Sequence, residues 1–181
     1  MNQMLPRSVT TDKRFHGVYE ALVSAVDDPD HEARVKLTLP WFDASMETDW
    51  CRVRQFYAGN GYGAVWVPDL GDEVLIAFIQ GDMRQPIVLG GLYNGKDRPP
   101  AQDPRERMIC SKNGHKLRFI DSTPTGGDRG ALIIEDAHGN RITLSNGKIA
   151  IRSVAVLALE GPIVTINGRG FAERPHPPRT G

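Results

Sequence analysis

The sequence predicts an all-β protein: a small five-stranded barrel, a short connection, and a second β-rich region that buries its apolar side only when several copies associate. Three observations predict this. Val67 to Gly95 packs two apolar runs and three turn signals into one hairpin; nothing beyond Met108 has helical period; and Ile149 to Glu160 alternates along a strand that no helix is available to cover.

In order, residues 1–14 form a polar N-terminal arm without period. Residues 15–95 hold the barrel. Phe15 to Val26 reads as a long first strand, ended by Asp27-Asp28-Pro29-Asp30. Four acids lie between Asp27 and Glu32, but the Asp-x-Asp-x-Asp-Gly order of a calcium loop is absent, so the cluster reads as a solvated turn. Arg34 to Leu39 alternates, with Val35, Leu37 and Leu39 on one face, and Pro40 stops it. Asp43 to Asp49 reads as a linker, and Trp50 to Phe56 as a third strand with Cys51 and Val53 on one side. Gly59-Asn60-Gly61-Tyr62-Gly63 could cradle phosphate only ahead of a helix. The β-like run Ala64-Val65-Trp66-Val67 follows instead, so a wide turn is predicted.

The hairpin supplies strands four and five. Asp72 to Gln80 is apolar at nearly every central position, the pattern of a strand covered on both faces. Gly81-Asp82 breaks it. Pro86 stands first in the returning strand, where its missing N–H costs least, and Asn94-Gly95 closes the unit with a pair that tolerates positive φ. Trp66, Phe78 and Tyr93 sit at positions where strands would bury them. Five strands are the number of an oligosaccharide/oligonucleotide-binding-type (OB) barrel.

Residues 96–107, rich in proline and charge, are a semi-rigid linker. From 108 to 170, short apolar runs are punctuated by Asn113-Gly114, Gly126-Gly127, His138-Gly139-Asn140, Asn146-Gly147, Gly161-Pro162 and Asn167-Gly168. The odd positions Ile149, Ile151, Ser153, Ala155, Leu157 and Leu159 are all apolar or small, so one face needs cover. A bare ribbon leaves open edges. Three copies around one axis solve both problems, with that odd series filling the centre. Residues 171–181 contain three prolines and end the ladder as a tip or tail.

Composition excludes several functions. The 22 basic and 22 acidic residues cancel, no Lys/Arg run occurs, and aromatics make up 7%, so the footprint of a nucleic-acid groove is missing. No apolar run approaches the roughly 20 residues of a membrane span, and no signal peptide is visible, which predicts a product made in the cytoplasm. Cys51 and Cys110 are expected as free thiols. His16, His31, His115, His138 and His176 are scattered without acid–base partners, and no Gly-x-Ser-x-Gly, His-Glu-x-x-His or paired-cysteine motif occurs; neither catalysis nor a cofactor is predicted.

The order of residues in the hairpin is more specific than its composition. Trp66, Pro68, Gly71, Asp72 and Val74, then Phe78, Gly81, Asp82, Pro86, Leu89, Gly90, Tyr93, Asn94 and Gly95, resemble the barrel signature of the phage baseplate assembly protein V family, whose relatives include the VgrG spikes of type VI secretion. Asn113 to Asp121 and Ile133 to Ile142 resemble the opening turns of that family's needle. The resemblance implies an OB barrel followed by an intertwined trimeric β-helix, serving as the membrane-puncturing central spike of a contractile phage tail or phage-like injection particle. It also implies a homotrimer, a separate baseplate hub protein, a PAAR-type tip protein, and transient contact with a target cell envelope, without nucleic acid. The rival reading is an OB nucleic-acid-binding protein. Some spikes end in a His-x-His iron site; here His176 stands alone between Pro175 and Pro177. Three copies offer three imidazoles, so no intrinsic metal is expected and His176 is the one candidate ligand.

Overall fold

The computed structural model describes residues 14–123, 127–166 and 169–170, which divide into two compact units between Arg98 and Pro99. The arm up to Lys13, Gly126 of the Gly126-Gly127 turn, Asn167-Gly168 and the 171–181 segment with His176 lie outside the described residues.

The first unit contains β1 (Val18–Ala25), β2 (Arg34–Leu39), β3 (Asp43–Glu47), β4 (Cys51–Val53), β5 (Ala58–Gly59), β6 (Tyr62–Gly63), β7 (Glu73–Phe78) and β8 (Pro86–Gly91). Its main sheet runs β1-β7-β8-β4-β2-β3, and β1 also pairs with β2. Strands β1, β7, β8, β4 and β2 therefore close a five-stranded, OB-like barrel, while β3 hangs on β2 outside the ring. Closure satisfies backbone groups that an open sheet would leave exposed. Alternation fills the interior: Ala21 and Val23, Val35, Leu37 and Leu39, Cys51, Val74, Ile76 and Phe78, and Val88 form one buried core.

Several sequence expectations change here. The strand placed at Asp72 to Gln80 is Glu73–Phe78, and it alternates: Val74, Ile76 and Phe78 are buried, whereas Leu75 and Ala77 are half-buried. Its outer face is thus only partly covered. Asp43 to Asp49 is not a plain linker, because Asp43–Glu47 pairs with β2 at Thr38 and Leu39; all five side chains are exposed, which hid the strand from any periodicity argument. The Trp50 to Phe56 strand shrinks to Cys51–Val53. Trp66 and Tyr93 are at least half exposed, because both lie in loops rather than strands, and only Phe78 of that trio enters the core. Neither Asn94 nor Gly95 adopts positive φ. Asn94 instead shapes the turn with its side chain, Oδ1 accepting from the N–H groups of Lys96 and Asp97 at 2.8 and 2.6 Å.

The acidic turn also differs from the solvated one expected. Asp28 is buried, and its carboxylate is saturated. Arg34 donates from Nε to Oδ2 at 3.0 Å and from Nη2 to Oδ1 at 2.7 Å, while the backbone N–H groups of Asp30, Glu32 and Arg34 donate to the same two oxygens. The guanidinium fork, helped by those N–H groups, holds the Asp28 carboxyl well below its ordinary value. Between the partners the backbone enters the left-handed region at His31 and Ala33.

The second unit is an antiparallel meander. Strands β9 (Glu106–Cys110), β10 (Lys116–Ile120), β11 (Ala131–Glu135), β12 (Arg141–Ser145) and β13 (Lys148–Arg152) pair in sequence order, and β14 (Thr165–Ile166) pairs with β15 (Arg169–Gly170) as a separate ribbon. Asn146 and Gly147, at φ 48° and 73°, make the tight β12–β13 turn that their sequence predicts. The strand expected from Ile149 to Glu160 stops at Arg152, where Ser153 turns the chain by donating from Oγ to the Val156 carbonyl at 2.9 Å.

Candidate assembly surface

The register of the meander sorts its side chains onto two unlike faces. One row across the sheet reads Ile109, Leu117, Ile134, Ile142, Ile151; the next, on the same face, reads Arg107, Phe119, Leu132, Leu144, Ile149. Apart from Arg107 this face is wholly apolar. The other face carries Glu106, Arg118, Glu135, Arg141 and Lys116 around a central Ile133.

Exposure runs opposite to what water favours. Ile133, among the charges, is 7% exposed, whereas Ile149 and Ile151 on the apolar face are 69% and 55% exposed. The charged face is laced with ion pairs: Arg118 pairs with Glu106 and approaches Glu135 at 3.7 Å, and Arg141 Nη2 lies 3.2 Å from Glu135 Oε2, although Glu135 Oε2 and Arg141 Nε make no hydrogen bond. On the apolar face Arg107 pairs with Asp121, and the 153–158 segment lines a shallow hollow beside Ile134, Ile142 and Ile151. A contiguous two-row apolar face on a single sheet is a core cut open, and such surfaces mark association.

Of the six residues the sequence assigned to an axis, Ile149 and Ile151 lie on this face. Ser153, Ala155, Leu157 and Leu159 follow the end of β13. Val156 and Leu157 both line a shallow hollow with Ile134, Ile142 and Ile151, so the odd–even distinction does not hold beyond Arg152 in the single chain. Sequence reasoning missed the earlier part of the face. The signal was present: each of β10 to β13 contains an apolar-x-apolar triplet, Leu117-x-Phe119, Leu132-x-Ile134, Ile142-x-Leu144 and Ile149-x-Ile151.

The barrel motif residues organise backbone rather than converge on a pocket. Val74 and Phe78 fill the core. Gly71 takes φ 87°, and Asp72 Oδ2 accepts the Asp69 N–H at 2.8 Å to close the turn into β7. Gly81 is buried with φ 77°, and a Cβ there would lie 2.7 Å from Arg14 Cβ. Asp82 is pulled down to about 2 by the Arg84 side chain and shapes the turn that Pro86 follows. Leu89 and Gly90 continue β8, and Trp66 and Tyr93 stay outside. Among the described residues no three His, Cys, Asp or Glu side chains are gathered as metal ligands, and no helix is long and apolar enough to cross a membrane.

Residues 19–93 match the type VI secretion system/phage-baseplate injector OB domain. The chain is 36% identical over 114 residues to the type VI secretion system spike protein VgrG5 of Pseudomonas aeruginosa, an overlap of 61% of this chain and 14% of the relative. It is 37% identical over 116 residues to the actin cross-linking toxin VgrG1 of Vibrio cholerae, covering 61% of this chain and 10% of that one. To the type VI secretion system spike protein VgrG3 of Vibrio cholerae it is 33% identical over 117 residues, covering 61% and 11%. The chain thus spans less than a sixth of the length of these relatives.

Proposed function

We propose, from the match of residues 19–93 to the injector OB domain and the likeness to VgrG spike proteins, that the chain is a VgrG-like baseplate spike and works as a homotrimeric central spike of a contractile phage tail or phage-like injection particle. The observation that carries this reading is the two-row apolar face of β9–β13. Three copies with that face turned inward form a needle whose interior is Ile, Leu and Phe and whose exterior is the ion-paired face. Each half-exposed apolar side chain that becomes buried contributes on the order of 1 kcal/mol. Nine such side chains per chain rival an association cost of about 4–15 kcal/mol.

In this reading Ile149 and Ile151 stand on the axis, and Ser153, Ala155, Leu157 and Leu159 extend the series once neighbouring chains supply strands to pair with. The work is mechanical. A needle driven through an envelope must resist unfolding for a short time, which calls for a high barrier rather than a large equilibrium stability. Chains that share a core provide it, because none can leave before many contacts break together. A baseplate hub protein and a PAAR-type tip protein are the partners proposed, with the target envelope as a transient contact.

An OB barrel that bound single-stranded nucleic acid would need cations beside its stacking aromatics. Four of the exposed aromatics, Phe56, Tyr57, Tyr62 and Trp66, lie in a stretch, Gln55 to Pro68, without a single charge. The test is the mass of the purified native protein. About three times the 20.0 kDa chain is expected, and a stable monomer of the whole chain would refute the reading.

A further inference from the structure

The loop joining β4 to β7 turns Phe56, Tyr57, Tyr62, Val65 and Trp66 to solvent at 50–74% exposure. Their display is built rather than slack. Strands β5 and β6 pair Ala58 with Gly63 and Gly59 with Tyr62, and the Tyr57 and Tyr62 rings stand 5.5 Å apart. Both ends of the Gln55 amide hold the Trp66 backbone: Nε2 donates to its carbonyl at 3.1 Å, and its N–H donates to Oε1 at 2.9 Å. Gly63, at φ 143°, admits the close return, since a Cβ would lie 2.7 Å from the Tyr57 carbonyl. A patch ordered beforehand loses little entropy on docking.

Area and chemistry define the occupant. Aromatic side chains carry roughly 150–250 Å² each, so four of them half to three-quarters exposed present on the order of 500 Å². Against a smaller patch of two half-exposed rings, on the order of 200 Å², that buries roughly 700 Å², below the limit of about 1,000 Å² for a specific contact between free partners. Alone this is marginal. Between barrels already tethered in one trimer, at an effective concentration of order millimolar, it suffices. A partner recognised by charge finds no handle in the loop, whereas charge-poor aromatic surface is the composition of contacts between copies of one chain.

A cyclic assembly needs a second, different patch on each copy. Trp41 and Phe42 provide one, at 41% and 53% exposure. They cluster with Phe15, whose ring lies 5.7 Å from that of Phe78, the last residue of β7. The aromatic loop re-enters the sheet at Glu73, the first residue of the same strand. The two attachments are therefore separated by roughly 17 Å along the barrel wall.

We propose that the Phe56–Trp66 loop docks on the Trp41–Phe42 turn of the neighbouring copy, closing three barrels into a ring; this rests on the trimeric reading above. In the test, full-length protein carrying p-benzoylphenylalanine in place of Val65 is illuminated, and native mass is measured on the same sample. Interchain products are expected, with the linked peptide inside residues 38–47. Tyr62→Ser with Trp66→Ser should cut their yield at least tenfold while the threefold mass remains. A threefold mass without links from position 65, or with links only to the second unit or to an added hub protein, overturns the ring. A single-chain mass overturns the trimer itself, so the two failures are distinguishable.

Discussion

Ile142 stands directly opposite Ile134 in the β11–β12 ladder, and both side chains face solvent although charged neighbours on the reverse face are sheltered. Ile142→Asp places a carboxylate inside each copy's share of the proposed axis. Three such charges in an apolar interior repel one another and lack water, so assembly should fail at any practical concentration. Thr143→Asp, one residue on, points to the ion-paired face and should leave the native mass unchanged. Sedimentation of the two variants decides the matter; like behaviour would mean that the apolar face is not the buried one.

The Asp28–Arg34 pair gives the barrel a defined acid response. The Asp28 carboxyl is depressed first by the Arg34 side chain and then by backbone N–H groups, against the opposing effect of burial. A depressed carboxylate contributes stability that is complete above its ordinary value of 3.8 and is lost as pH falls toward the folded-state value. Asp28→Asn should therefore be less stable than the parent at neutral pH. The gap between their denaturant midpoints should narrow as pH falls from about 5 to about 2. Arg34→Lys should behave similarly, because an ammonium cannot reproduce the two-pronged contact. A gap that stays constant across this range would show that the pair does not titrate with folding.

How far the fold could be read in advance depended on whether a residue's state was set locally. Val35, Leu37 and Leu39 announce a half-buried strand by alternation, and Asn146-Gly147 announces its turn by backbone chemistry; both stand as expected. Asp43–Glu47 is a strand only because β2 lies beside it, so no pattern marks it. Asp28 looked like one of four solvated acids because its partner is six residues away on the next strand. The exposed apolar face was legible at Ile149 and Ile151. The remainder of the apolar face was divided among strands whose short apolar triplets resembled ordinary core until register aligned them in rows.

Backbone conformation makes opposite predictions at two positions. Gly71 has φ 87° with nothing within 4 Å of where an alanine Cβ would stand, so Gly71→Ala tests conformation without a clash and should cost about 1 kcal/mol. Ala33 is already in the left-handed region at φ 58°. Ala33→Gly relieves a similar strain, partly offset by the greater freedom of glycine in the unfolded chain, for a net gain of roughly 0.5 kcal/mol. Urea midpoints with unchanged slopes should move in opposite directions. A loss of stability in Ala33→Gly would show that the turn does not strain the alanine.

The two thiols should react on different timescales. Cys51 is 2% exposed in the barrel core; its Sγ donates to the Asp49 carbonyl at 3.0 Å and lies 3.1 Å from Thr48 Oγ1. Burial pushes this thiol up, and the thiolate is the species that alkylates. Cys110 ends β9 half-buried, outside any core cluster. Iodoacetamide at about pH 8 should therefore modify one thiol per chain quickly, identified by peptide mass as Cys110. Cys51 should follow only at the rate at which the barrel opens, and should become fast in denaturant. If both thiols react together in native buffer, the ring of β1, β7, β8, β4 and β2 does not shield its interior as described.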